Sequence, residues 1–366
     1  PLLQHRLYPA KRRLNPRGRL VVNTADRILV VGPSWVGDMM MAQALFILLK
    51  QNSPDCCIDV LAPEWSLPLI AHMPEVSDSI ASPFKHGEAS LRQRYLLGKS
   101  LRDRNYKQAI ILPNSLKSAL VPYWARISRR TGFIGEMRYG LVNDARKLDR
   151  AALPKTVMRF ASLALPADQP LDINIPLPHL ETDEQSRSCS LNALNITTTT
   201  AQVLALCPGA EYGPAKQWPA THFAKLANDY LDRGWEVWLL GSEKDDGVCA
   251  EINTETEHRC QNLAGKTELG QVIDLMSCAS AIVSNDSGLM HIAAALDKPL
   301  VAIYGSSDPG FTPPLSNKAK ILSLSLSCSP CFKRRCPLGH LDCLNKLEPG
   351  LVMNAIDCLL ESERND

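Results

Sequence analysis

Apolar residues along this chain gather in short runs, each closed by glycine or a polar turn and followed by a helix-forming stretch. The first is Arg27-Ile28-Leu29-Val30-Val31, ending at Gly32. After Pro33-Ser34-Trp35-Val36-Gly37-Asp38, a helix is predicted from Met39 to about Gln51, and Cys57 to Leu61 is the next strand. Such a strand–loop–helix–strand unit implies a parallel sheet with right-handed crossovers. A further buried strand covers Tyr106 to Leu112 and leaves through Pro113-Asn114-Ser115.

The pattern restarts in the second half. Gln202 to Cys207 reads as a strand, Pro208 to Lys216 as a long glycine-bearing loop, and Trp218-Pro219 opens a helix to about Arg233. Trp235 to Leu240, Ala279 to Val283 and Pro299 to Gly305 complete the strands. Between the halves, residues 166–200 are linker-like, with four prolines, the acidic stretch Glu181 to Glu184 and the run Thr197 to Thr200. The expectation is an α/β protein of two facing Rossmann-like domains, residues 27–180 and 181–366, behind a basic arm at 1–26.

Candidate chemistry sits at the strand ends, where open α/β sheets place their ligands. Ser284-Asn285-Asp286-Ser287-Gly288-Leu289-Met290-His291 joins a strand to a helix through a polar turn. Free N–H groups and the positive helix end make such a turn an anion site, although capping alone also explains Asn-Asp-Ser. Asp38 closes the first loop, whose Gly32 and Gly37 are five apart. Aspartate where a Walker loop carries lysine would repel phosphate, so this is not a phosphate loop. Asp38 is either a helix N-cap or a general base toward a hydroxyl. Lys216 is a surface lysine or a point charge on a leaving phosphate. Asp245 and Asp246 stand where an acid often holds a ribose, or where one caps a helix.

Lys117, Arg126, Arg129, Arg130, Arg138 and Arg146 cluster with Tyr123, Trp124, Phe133 and Tyr139. A solvated face explains such a run; so does a cleft for a polyanionic acceptor. The 366 residues exceed one ordinary core. A net charge of +2 argues against nucleic-acid binding by the whole protein. Residues 1–27 are basic, broken by Pro9 and Pro16, and lack the apolar core of a signal peptide. They read as a solvated arm, or as a surface meeting anionic lipid. The near-apolar run Met39 to Leu49 is too short to span a bilayer and contains Gln43. A cytoplasmic protein with reduced thiols is therefore expected, despite twelve cysteines. Cys328, Cys331, Cys336 and Cys343 fall close together with His340. They offer a structural zinc site, with CxxC as one half and the remaining cysteines completing it, or free buried thiols, or a labile disulfide.

Together these segments resemble the heptosyltransferases of the bacterial lipopolysaccharide inner core, which have the glycosyltransferase B fold. The motifs are Gly32-Pro-Ser-Trp-Val-Gly-Asp-Met-Met at 32–40, Pro208-Gly-Ala-Glu-Tyr-Gly-Pro-Ala-Lys-Gln-Trp-Pro at 208–219 and the 284–291 stretch. Gly135 to Leu141 and the cysteine cluster narrow the likeness within the family. The resemblance implies an inverting transfer of heptose from ADP-heptose to a heptose already on Kdo2-lipid A. It implies Asp38 as base and Lys216 beside the diphosphate. Asp286, Ser287, Gly288 and His291 would hold diphosphate and sugar. Thr267 would lie on the adenine side and Asp245 at the ribose. Ala210 and Glu211 stand where other members carry a threonine pair. The basic run, with Lys117, Arg130 and Arg138, gains an anionic acceptor as partner. Transient contact with the anionic inner face of the inner membrane would follow. No Asp-x-Asp pair adjoins the donor loops, so no metal cofactor is expected. Competing readings are a same-fold transferase or epimerase using another sugar nucleotide, and a non-catalytic sensor.

Overall fold

The computed structural model describes residues 26–84, 87–171, 174–197 and 202–365. The basic arm at 1–25 and most of the threonine run lie outside the described residues. Six strands form a first sheet: β1 (Arg27–Val31), β2 (Cys57–Pro63), β3 (Val76–Ser82), β4 (Gln108–Ile111), β5 (Arg129–Phe133) and β6 (Asp144–Arg146). Six more form a second: β7 (Val203–Cys207), β8 (Glu236–Leu239), β9 (Gln261–Asn262), β10 (Ala281–Asn285), β11 (Leu300–Tyr304) and β12 (Ala319–Ser323). The sheet orders are β3-β2-β1-β4-β5-β6 and β12-β11-β10-β7-β8-β9. Read from its other edge, the second repeats the first, so one topology occurs twice in an α/β chain.

The pairings are parallel, and the central strands are buried almost throughout because helices cover both faces. Winding reverses between β1 and β4 in one sheet, and between β7 and β10 in the other. Crevices for ligands open outside the strand ends at such reversals. There the loop after β7, with Lys216, meets the loop after β10, with Asp286. The loop after β1, which leads into the helix turn with Asp38, meets the loop after β4, with Asn114.

The helix Val36–Asn52 begins one turn earlier than predicted, because Trp35 is already extended at φ −109 and ψ 141 and ends the loop there. It is buried almost all round, as its nearly continuous apolar sequence requires. It packs on the helix Thr156–Ser162 and, across the molecule, on the helix Gly288–Ala295. A single apolar core therefore runs from Val30 and Met40 to Ile282 and Ile292. Gln43, the polar interruption of this helix, is fully buried and answers the backbone of His179: Nε2 donates to its carbonyl and Oε1 accepts from its N–H. A buried carboxamide satisfied this way ties the connecting segment to the first helix. Among the described residues, no helix is long and apolar enough to cross a membrane.

Candidate active site

Asp38 lies in the first turn of the Val36–Asn52 helix and is not its N-cap. It opens on a cavity of about 340 Å³ shared with Trp35, Asn114, Phe133, Thr156 and Arg159. Burial without a compensating partner raises its pKa from 3.8 to about 6. A carboxylate desolvated in this way is a stronger proton acceptor than an exposed one, and is still ionised at neutral pH.

The donor-side residues meet across β7 and β10, where Ser284 lies in register with Cys207. Lys216 Nζ donates to Asp286 Oδ2 at 2.5 Å, and Ser307 Oγ donates to the same oxygen. Two ammonium protons of Lys216 are thus left for a ligand, and Asp286 Oδ1 has no protein donor among the described residues. Asn285, the other polar residue of this strand end, is fully buried. Its Oδ1 accepts from Trp218 N–H and its Nδ2 donates to Pro208 O, which locks the loop after β7 in place.

Ser287 is the N-cap of the helix Gly288–Ala295, but its hydroxyl caps no backbone N–H. The first N–H groups of that helix stay open beside Asp286. His291, one turn in, is buried, and burial lowers its pKa to about 4, partly opposed by Asp286. It is a neutral imidazole, able to donate or accept a hydrogen bond but not to supply charge.

Glycine brings the two halves together. A Cβ on Gly37 would lie 2.6 Å from His291 Cδ2, and one on Gly288 would lie 2.7 Å from Val36 Cβ. The N-termini of two helices, one from each sheet, therefore interlock with Asp38 on one side and Ser287 on the other. The loop motifs contain both glycines, but nothing in the sequence pairs them.

Residues 94–342 match the profile of glycosyltransferase family 9 (heptosyltransferase). The chain belongs to that family. It is 45% identical to the lipopolysaccharide heptosyltransferase 2 of Escherichia coli K12, over 92% of this chain and 99% of the relative. It is 48% identical to the lipooligosaccharide heptosyltransferase 2 of Haemophilus ducreyi, over 81% and 88%. The solved structure of the E. coli ADP-heptose lps heptosyltransferase II superposes with a TM-score of 0.83 at 44% identity, covering 92% and 99% of the two chains. The protein is a glycosyltransferase with the fold that its motifs implied.

Other expected donor residues of this glycosyltransferase divide into open and occupied. Thr267 Oγ1 is buried without a partner, so it has a hydrogen bond to give. Ala210 is buried, and only its backbone can meet a ligand. Glu211 is exposed and paired with Lys244 at 2.6 Å. Asp245 takes the capping alternative: its Oδ2 accepts from Ser242 N–H at 2.9 Å and from Ser242 Oγ at 2.7 Å. Its carboxylate packs where side chains of Gly209 and Gly241 would be. Ser307 was not among the expected residues; only its place in a polar loop after a strand hinted at it.

The acceptor expectation needs correction. Arg138 is 3% exposed, and its guanidinium donates to Pro113 O, Phe133 O, Asn114 Oδ1 and Ser118 Oγ. Arg130 donates to the carbonyls of Ile127, Gly140 and Leu141. These forks brace loops, and burial pushes both pKa values down. Lys117 likewise does not line the Asp38 cavity, where the cation is Arg159.

Cys328, Cys331, Cys336 and Cys343 do converge, around a cavity of about 20 Å³. Yet among the described residues no group of three or more His, Cys, Asp and Glu is arranged to hold a metal ion. The loop that carries them supports the donor site mechanically. Ala215 N–H donates to Arg334 O at 3.1 Å, and Phe332 N–H to Ser306 O at 2.7 Å.

Proposed function

We propose that the protein transfers heptose from ADP-heptose to the first heptose of the lipopolysaccharide inner core, with inversion. Its relatives carry the heptosyltransferase name, and the interlock of Gly37 with His291 is the observation that supports this division of labour. On this reading the proton acceptor of one half works against the diphosphate-holding end of the other.

An acceptor hydroxyl is neutral and a poor nucleophile. Asp38 takes its proton as the oxygen attacks the anomeric carbon. The bond to the diphosphate breaks, and its growing negative charge meets Lys216 and the open N–H groups after Ser287. Asp286 has two duties: Oδ2 aims Lys216, and Oδ1 accepts from a sugar hydroxyl. Thr267 meets the nucleoside side. The tight fit of the halves excludes water and so limits hydrolysis of the donor. The acceptor half spans residues 27–180 and the donor half 181–366. The lipid-borne acceptor brings the enzyme into transient contact with the anionic inner face of the inner membrane.

Thermal denaturation with ADP, UDP and GDP tests the donor assignment, since a ligand of the native state raises the melting temperature. ADP is expected to stabilise most. Stabilisation by UDP with none by ADP would remove the heptose assignment.

A further inference from the structure

One charged side chain in the Asp38 cavity has no ion-pair partner among the described residues. Arg159, on the helix Thr156–Ser162, is the cation among the cavity's lining residues. Its guanidinium is held in place from three sides. Nε donates to Leu153 O at 3.0 Å and Nη2 to Pro154 O at 3.1 Å, while Cζ lies 4.8 Å from the centre of the Phe311 ring. Its helix is itself clasped to the other half, where Thr156 N–H donates to Phe311 O at 3.2 Å. Nη1 has no protein acceptor among the described residues. Burial and the like charge of Arg150 both disfavour the cation, and no carboxylate offsets them.

A partly desolvated, unpaired cation costs free energy, and such a cost is retained where a counter-charge arrives from outside. The other walls suit a sugar: Trp35 and Phe133 offer flat apolar faces, and Ser34, Asn114 and Thr156 offer hydroxyl and carboxamide groups. With two nitrogens fixed, the remaining donors of the fork lie in a known plane, a geometry matched to an oxyanion rather than to a single lone pair.

We propose that Arg159 reads the charge of the acceptor. It pairs with an anionic substituent, carboxylate or phosphate, on the acceptor sugar chain while a neutral hydroxyl of that chain faces Asp38. This assignment rests on Asp38 being the base. It replaces Arg130 and Arg138, whose forks are committed to backbone carbonyls.

The test uses the full chain and an acceptor stripped of its ester-linked acyl chains, so that membrane contact does not enter. Arg159→Met keeps the stem over Phe311 and removes the charge; Arg159→Lys restores a charge without the fork. The expected result is a rise of tenfold or more in acceptor KM for Arg159→Met, with ADP-heptose KM unchanged and partial recovery in Arg159→Lys. Two altered acceptors separate the sources of the anion: one with amidated carboxylates, one with phosphates removed. On the acceptor lacking the anion that Arg159 reads, wild type and Arg159→Met become equal. An unchanged acceptor KM overturns the proposal. So does an equal KM ratio between the two enzymes on all three acceptors, which marks Arg159 as a packing residue. Asp38→Asn in parallel separates this from the underlying reading: if it retains full turnover the base assignment fails, whatever Arg159→Met does.

Discussion

Gly37 and His291 share one space: the imidazole occupies the position that a side chain on residue 37 would need. Alanine there would place its Cβ 2.6 Å from Cδ2 and 3.0 Å from Nε2. His291 is enclosed by its own core and cannot retreat far, so the two helix N-termini must separate. Gly37→Ala is expected to lower turnover at least tenfold, since an ångström of misplacement between base and donor costs that much or more. ADP affinity should stay near wild type, because the proposed nucleotide contacts lie on one half. Steady-state kinetics and calorimetric titration with ADP check the pair of outcomes; full turnover would contradict the interlock.

Asp38→Asn removes the proposed proton acceptor and keeps the shape. Turnover is expected to fall by roughly 10²–10⁴-fold, the usual contribution of a general base. In the wild type, the rate should rise with pH as Asp38 loses its proton near pH 6, then level off.

The same residue predicts a stability difference of opposite sense. The Asp38 pKa is raised, so between pH 3.8 and about 6 the folded chain keeps a proton that the unfolded chain has released. Stability from that proton is present below about pH 4 and lost as pH rises to about 6. Above that window the wild type holds a desolvated charge. Asp38→Asn should then be the more stable protein by on the order of 2 kcal/mol, with the two converging at pH 4. Melting curves at pH 4 and 8 measure this; a variant less stable at pH 8 would mean that the carboxylate has a partner.

Arg138→Ala is expected to act on stability rather than on acceptor choice. It strips the side-chain donors from Phe133 O, leaves Pro113 O with Ser118 Oγ alone, and takes a donor from Asn114 Oδ1 and Ser118 Oγ. An orphaned buried acceptor such as Phe133 O costs about 1–3 kcal/mol. Chemical denaturation should show that loss. An intact midpoint together with a raised acceptor KM would return Arg138 to the acceptor site.

The cysteines should differ in reactivity. Backbone N–H groups of Leu341, Leu338, Gly339 and His340 lower the Cys336 thiol pKa. Burial raises the pKa of Cys249 to about 12 and that of Cys207 further. Because the thiolate is the nucleophile, iodoacetamide at neutral pH should modify Cys336 early and spare Cys207 and Cys249 in the folded protein. Peptide mass spectrometry over time reads the order, and early labelling of Cys207 would contradict it.

Much of the fold was legible because its signals are local. Runs such as Val203 to Cys207 and Ala281 to Val283 carry their strand preference in consecutive residues, and Gly288 and Pro219 mark the adjoining helix starts. The position of Asp38 at a strand end followed from motif order once a parallel sheet was inferred, whereas Lys216 and the Asp286 loop were brought to one diphosphate by the family resemblance. Asp245 was left between two roles, because a cap and a ribose contact need the same residue type in the same place; in the fold it completes the capping box opened by Ser242.

The chain's own pattern thus determined two parallel sheets and the strand ends at which chemistry gathers, since β-propensity and turn residues act over a few positions. Only the tertiary structure decided which cations are free. Arg130 and Arg138 answer carbonyls that no periodicity reveals, whereas Arg159 reaches the Asp38 cavity through packing between residues more than a hundred positions apart. Charge in a sequence is a count, but its availability depends on which oxygen atoms the folded backbone places beside it.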